Sequence, residues 1–363
     1  MKDVIRGVAK VSVNRRHLWA SLALALSPLV AGVSQAAQVQ AVATFTVLAD
    51  VVEEIGGERV EVQSLVGPNG DPHVFEPTPS DVRALRGADV VFMSGLGLEG
   101  WMDRLIASSG YEGDAVVVSE GVALRDMDGP AHGHEDGGHD DGDHAHSHED
   151  EGHGHEDEGH GHGHEDEGHG HDDHGHGHEN DVHAHDEGDP HVWQSPANVQ
   201  VWVDNVVAAL SRIDPEGADT YRANGEAYRE TLGALDQWAR DEIEQVPEEQ
   251  RRVLTSHDAF GYFGERYGVT FLSPQGITTA SEPSAGDVAR IIEQIREREI
   301  GTYFLESGSS PRLIEQIAGA TGARPGGTLY VGALSDPDGP AADYPAMFRH
   351  NVERMVEAMQ DTP

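Results

Sequence analysis

Between Asp128 and Asp189 the chain has almost nothing to bury: its apolar residues there are Ala131, Ala145, Val182 and Ala184. Such a stretch cannot offset the entropy lost on ordering. Residues 129–188 are therefore expected to be a disordered insertion, and any folded body has to be assembled from the sequence on either side. What fills the stretch is histidine and acid. Eighteen of the 23 histidines lie in it, at His132, His134, His139, His144, His146, His148, His153, His155, His160, His162, His164, His169, His171, His174, His176, His178, His183 and His185. The unit Glu-Asp-Glu-Gly-His-Gly-His starts at Glu149, Glu156 and Glu165, and no Lys or Arg occurs between Arg125 and Arg212. A charge run is ordinarily a solvating linker. Acidity alone does not call for imidazole at every second or third position, however, and imidazole is a common ligand of zinc, copper and nickel. Alternate side chains of an extended chain point to opposite sides, so these histidines are expected to be loose, accessory metal ligands: a weak multi-site collector that cannot define a selective site.

The charge balance and the N-terminus restrict the function classes. The chain has 363 residues and a formal net charge of −41; setting aside the 23 acids from Asp126 to Asp189 still leaves −18. That balance argues against nucleic acid or an anionic membrane surface as partner and is compatible with a cation ligand. Lys2, Arg6, Lys10, Arg15 and Arg16 precede an apolar run from Leu18 to Val33 and a small-x-small site at Ser34-Gln35-Ala36. Residues 1–36 thus read as an export signal cleaved near Ala36. A retained membrane helix fits less well, because the run is short and broken by Pro28. Arg15-Arg16 hints at a twin-arginine signal, but the flanking residues favour the general route. The chain has no cysteine, so neither a disulfide nor a lipid anchor on a cleaved terminus is expected. The mature protein is expected to be soluble, in a Gram-negative periplasm.

Short apolar β-rich runs alternate with helical patterns on both sides of the tract, the pattern of parallel α/β units. Strands are expected at Val42–Val47, Val60–Val66, Val90–Met93 and Ala115–Val118, with helices at Ala49–Ile55, Ser80–Arg86 and Leu98–Ser108. After the tract, Ser195-Pro196 reads as an N-cap with proline at the first helical position, opening a helix that ends at Asp214-Pro215. A second helix, Glu216–Gln245, would span about 45 Å and act as a strut. Strands at Val253–Thr255, Val269–Leu272, Thr302–Leu305 and Thr328–Val331 then alternate with helices at Ala259–Tyr267, Asp287–Arg298, Pro311–Thr321 and Tyr344–Met359. The fold class is α/β: two Rossmann-like lobes with parallel sheets, residues 37–213 and 250–363, joined by a long connecting helix within 214–249, with a cleft between them.

Five histidines lie outside the tract. His17 leaves with the leader, and His350, beside Arg349, Asn351 and Glu353, reads as a surface residue. His73 and His191 share a context: Gly70-Asp-Pro-His-Val-Phe75 is echoed by Gly188-Asp-Pro-His-Val-Trp193. Proline fixes its own φ and pushes the preceding Asp into an extended conformation, so each histidine follows a stiffened corner. Asp71 or Asp189 could then hold a tautomer that leaves one ring nitrogen free for metal. A lone loop histidine is more often structural; a hexapeptide recurring on either side of a histidine-rich tract reverses that. His257 follows the strand at Val253–Thr255, where Ser256 and Asp258 could equally cap a helix. Asp336, in Leu334-Ser-Asp-Pro337, occupies the equivalent place after the last strand, though a turn aspartate before proline is common.

Taken together, these segments resemble those of the periplasmic solute-binding proteins that serve zinc and manganese ABC importers. The likeness rests on Gly67-Pro-Asn-Gly-Asp-Pro-His-Val-Phe-Glu-Pro-Thr-Pro-Ser-Asp81, Leu96-Gly-Leu-Glu-Gly-Trp101, Asp189-Pro-His-Val-Trp193, Ser256-His-Asp-Ala-Phe260, Glu282-Pro-Ser-Ala285, and Asp336 with Gly339-Pro340 and Tyr344. It implies two lobes joined by one long helix, with the ion held in the cleft by His73, His191, His257 and Asp336. It also implies zinc, because manganese-type members carry a carboxylate where His257 stands and zinc-type members often carry a histidine-rich loop. The Asp336 segment fits neither subgroup cleanly, which leaves water as the alternative fourth ligand. Three neutral imidazoles and a carboxylate suit tetrahedral Zn2+, and affinity should fall as pH drops through about 6.5. Zn2+ is then cargo for a membrane permease with its cytoplasmic ATPase, with a zinc metallochaperone as a further partner, and the protein is expected to be a monomer and not an enzyme.

Two other readings stay open at this point. A secreted zinc hydrolase would use an open metal position to activate water; it lacks His-Glu-x-x-His, and Glu306 is the spare carboxylate, which also suits a supporting or structural role. A zinc buffer would have the tract as its active part. A single strut also implies modest lobe movement on metal binding.

Overall fold

The computed structural model describes residues 38–125 and 188–360. The expected export signal, the eighteen tract histidines and the last three residues lie outside them. Strands β1 (Val39–Phe45), β2 (Val60–Val66), β3 (Val90–Met93) and β4 (Asp114–Val117) form one four-stranded sheet in the order β2-β1-β3-β4, all parallel. Strands β5 (Arg252–Leu254), β6 (Thr270–Leu272), β7 (Thr302–Glu306) and β8 (Arg324–Leu329) repeat that order as β6-β5-β7-β8, again all parallel. In each sheet the second and third strands lie on opposite sides of the first. The crossovers therefore diverge there and open a crevice at the carboxyl ends, where open α/β sheets receive ligands.

Helix α1 (Thr46–Gly56) leaves β1 directly, α2 (Pro79–Gly87) starts from a capping box of Thr78 and Asp81, and α3 (Met102–Ser109) precedes β4. Helix α4 (Pro196–Ile213) has proline in its first turn and buries Val199, Trp202, Val203, Val206 and Leu210. The strut α5 (Ala218–Ile243) has 26 residues, about 39 Å at the usual rise. It buries Tyr221, Tyr228, Leu232 and Leu235 and packs on α4 and α1. The second lobe adds α6 (Gly261–Tyr267), α7 (Ala285–Glu297), α8 (Arg312–Thr321) and α9 (Tyr344–Gln360). The closing helix α9 packs on α5 and α1 as well as on β8 and β5. One apolar cluster therefore runs from Phe45 and Leu48 through Trp202 and Leu232 to Phe263, Phe304 and Phe348, and the described residues form one compact unit. No helix of the described residues is long and apolar enough to cross a membrane.

Three local expectations change. Helix α3 begins at Met102, four residues later than the apolar pattern suggests, and is preceded by a turn in which Gly95, Leu96 and Gly97 all have positive φ. The turn is closed instead by the buried Glu99 carboxylate, which accepts from Ser94 N at 2.7 Å, Gly95 N at 3.0 Å and Thr44 Oγ1 at 2.7 Å. Strand β8 is Arg324–Leu329 rather than Thr328–Val331. Its Pro325 and two glycines hide it from any propensity argument, yet an edge strand tolerates them, and the register shift at Tyr303/Phe304 accommodates them. His350 is half-buried, with Nε2 bonded to Thr328 O at 3.0 Å, and so helps hold that irregular strand rather than facing solvent freely.

Candidate metal centre

The His73 corner follows β2. Asp71 Oδ1 accepts from His73 N at 2.9 Å, closing the turn around Pro72, and Trp101 Nε1 donates to Pro72 O at 2.8 Å. The His191 corner lies just ahead of α4. There Asp189 Oδ1 accepts from His191 N at 3.0 Å in the same turn, and Trp193 Nε1 anchors the following residues to Val331 O at 2.8 Å. His257 follows β5. Ser256 N and His257 N donate to Glu306 Oε1 at 2.7 and 3.1 Å, so the end of β7 fixes the end of β5.

These three elements bring the imidazoles together. His73 Nε2 stands 3.0 Å from His191 Nε2, and His257 Nε2 stands 3.3 Å from His191 Nε2. Among the described residues His73, His191 and His257 form the group whose ligand atoms lie close enough to share one ion. A tetrahedral zinc with bonds of 2.0–2.1 Å has edges of about 3.3 Å, so the nitrogens already stand at coordination spacing. The space they enclose, also lined by Asp71, Ser307 and Ser309, measures about 10 Å³, room for about one small occupant. His191 and His257 are buried, while His73 is half-exposed.

Two carboxylates decide the tautomers. Asp189 Oδ1 lies 2.9 Å from His191 Nδ1, and Glu306 Oε2 lies 2.5 Å from His257 Nδ1. A carboxylate oxygen accepts, so in the neutral form of each ring Nδ1 carries the hydrogen and the Nε2 lone pair faces the centre. Burial together with the neighbouring His191 and His257 rings pushes His73 down to about 3, leaving it neutral. Burial also disfavours the charged form of His257, but the Glu306 carboxylate more than offsets it and holds that ring above its ordinary value. Burial alone would raise Asp189; the bonds from His191 and the Arg125 guanidinium outweigh it and hold the carboxyl below the usual range. Lone pairs converging on a small space, with negative charge behind them, are what a divalent cation binds.

The structure does not bring Asp336, the expected fourth ligand, to this group. Asp336 is exposed. Its backbone carbonyl accepts from Gly339 N at 2.8 Å and Ser335 Oγ at 2.9 Å, and this tight turn holds the residue at the surface. Glu306 is not a spare base either, because both its oxygens are occupied by Ser256 and His257. Asp71, by contrast with Asp189, gives its second oxygen to Thr279 Oγ1 at 2.7 Å. Sequence reasoning missed Arg125 and Thr279 altogether. Their partners lie 64 and 208 residues away, and no local pattern carries such a pairing.

A family model described as periplasmic zinc-uptake complex component A matches residues 41–358. The manganese-binding lipoprotein MntA of Bacillus subtilis is 31% identical over 340 residues, 91% of this chain and 92% of its own length. The metal ABC transporter substrate-binding lipoprotein SsaB of Streptococcus sanguinis is 24% identical over 332 residues, 90% of this chain and 91% of its own. The structure of the periplasmic zinc binding protein TroA from Treponema pallidum is similar with a TM-score of 0.70 at 25% identity, covering 89% of this chain and 99% of that one.

Proposed function

The chain belongs to the family of periplasmic zinc-uptake complex component A, the metal-binding substrate-binding components of ABC importers, and from that premise we propose that its cargo is Zn2+, held by His73, His191 and His257. Its relatives are substrate-binding proteins rather than enzymes, and the family implies a permease and an ATPase as partners. The observation that carries the choice of zinc is the donor set. Three Nε2 atoms converge, two of them on rings backed by carboxylates at Nδ1, and such carboxylate–histidine pairs are the usual support of zinc ligands. Zinc binds nitrogen and sulfur donors readily, whereas manganese is better served by oxygen. Here the nearby carboxylates of Asp189 and Glu306 turn their oxygens onto the rings instead.

The similarity to a manganese-binding relative at 31% identity supports a second reading, in which Mn2+ is the cargo. Affinity in solution does not separate them, since nearly any site of this kind binds Zn2+ more tightly than Mn2+. Physiology does. On the zinc reading, a strain lacking this protein grows poorly under zinc chelation and is rescued by added zinc; rescue by manganese alone would favour the second reading. We propose the eighteen tract histidines as an accessory collector that raises the local zinc concentration, with the protein working in the periplasm. Transport at limiting zinc that is indifferent to deletion of residues 132–185 would contradict the collector.

A further inference from the structure

The carboxylate that holds the His191 ring is itself held. Asp189 is wholly buried; Oδ1 serves the His191 backbone and ring, and Oδ2 accepts from Arg125 Nη1 at 3.0 Å. A buried carboxylate needs a compensating charge. Arg125 supplies it from a side chain that keeps only 22% of its surface exposed. Because a carboxyl group is planar, fixing Oδ2 also fixes the plane in which Oδ1 meets Nδ1. The second lobe closes over this pair: a Cβ at Gly261, the first residue of α6, would overlap Arg125 Nη1 and stand 2.6 Å from Asp189 Oδ2. The glycine lets the helix seat directly on the ion pair, which blocks rotation of the carboxyl group. The two partners are 64 residues apart and flank the histidine-rich tract, Arg125 being the last cation before it.

We infer that Arg125 is a positioning residue for metal capture, acting through Asp189 to aim His191 Nε2 at the ion, and that one ion pair thereby joins the flanks of the tract to the metal site. The inference rests on the three-histidine site proposed above. A partner such as Asp189, one hydrogen bond removed from the metal ligand, typically changes affinity 10- to 100-fold, and Arg125 acts through it. In the full-length protein, chelator competition with one equivalent of Zn2+ reads the tightest site. Arg125→Ala is expected to weaken it about tenfold or more. Arg125→Lys, which keeps a cation able to reach one carboxylate oxygen, is expected to recover most of that loss. In an Asp189→Asn background, Arg125→Ala is expected to add nothing, because the residue through which it acts has been disarmed; a purely structural role would instead add its own loss and show no rescue by lysine. Unchanged affinity in Arg125→Ala, or additive losses in the double variant, overturns the inference. His191→Ala in the same assay separates the two readings. If it keeps the tight site, the three-histidine centre itself fails; if it loses the site while Arg125→Ala does not, only the role of Arg125 fails.

Discussion

At the His191 corner the aspartate spends Oδ1 on the backbone and ring of its own histidine and Oδ2 on Arg125. At the His73 corner Asp71 spends Oδ1 on the His73 backbone and turns Oδ2 to Thr279 in the other lobe. The first histidine is buried and the second half-exposed. Both corners use the same local device, an aspartate accepting from the backbone two residues on, and nearly the same six letters. The surroundings decide where the other oxygen goes. One corner consequently becomes a rigid buttress for a ligand, and the other a tie between lobes beside the more accessible ligand. The first should govern how tightly metal is held and the second how fast it leaves.

That division can be broken most decisively with the aspartates. Asp189→Asn should cost 10- to 100-fold in zinc affinity, since the amide nitrogen now faces Arg125 and the ring loses its ionised partner. Asp71→Asn should cost a few-fold at most, and equal losses in chelator competition would erase the distinction between the corners. Next is pH. Metal needs a bare Nε2, and His73, pushed down to about 3, competes for no proton in the working range. His257 stands above its ordinary value beside Glu306, so the proton it must release sets the onset. Affinity should therefore begin to fall above pH 6.5 and drop by about tenfold per unit below the His257 pKa; titrations from pH 8 to 5 that stay flat would contradict this. A smaller effect is expected from Trp101→Phe, which removes the donor to Pro72 O. It should destabilise the apo protein by about 1 kcal/mol, read as a lower thermal midpoint. Smallest, Thr279→Val unties Asp71 and should speed zinc release by about fivefold, the rate equivalent of one hydrogen bond, with an unchanged association rate in stopped-flow.

The contrast between the corners also shows what sequence carries. The parallel α/β alternation was legible, down to the bounds of β2 and β3, because buried strands are continuous apolar runs between turn residues. The convergence of His73, His191 and His257 was legible because chemistry was written locally, in a repeated hexapeptide and in a histidine placed at a strand end. Strand β8 was misplaced because its fitness depends on being at an edge. Asp336 stands apart from the three histidines because position in a motif does not determine where a side chain points once a local turn claims the residue. The supporting partners Arg125 and Thr279 were invisible, since their roles exist only after the chain closes. Glu306 stood between these cases: its carboxylate was noticed, and only the fold revealed that both oxygens were taken by Ser256 and His257. The apolar cluster shared by both lobes supports the expected modest lobe movement, because rotating one lobe would tear it.

The central claim is that three histidine nitrogens, and not Asp336, hold the ion. Zinc-edge anomalous diffraction from crystals of the full chain carrying one equivalent of Zn2+ tests it most directly. One dominant peak is expected 2.0–2.1 Å from His73, His191 and His257 Nε2, the usual zinc–imidazole bond length. A dominant peak elsewhere, or one bonded to Asp336, would contradict it.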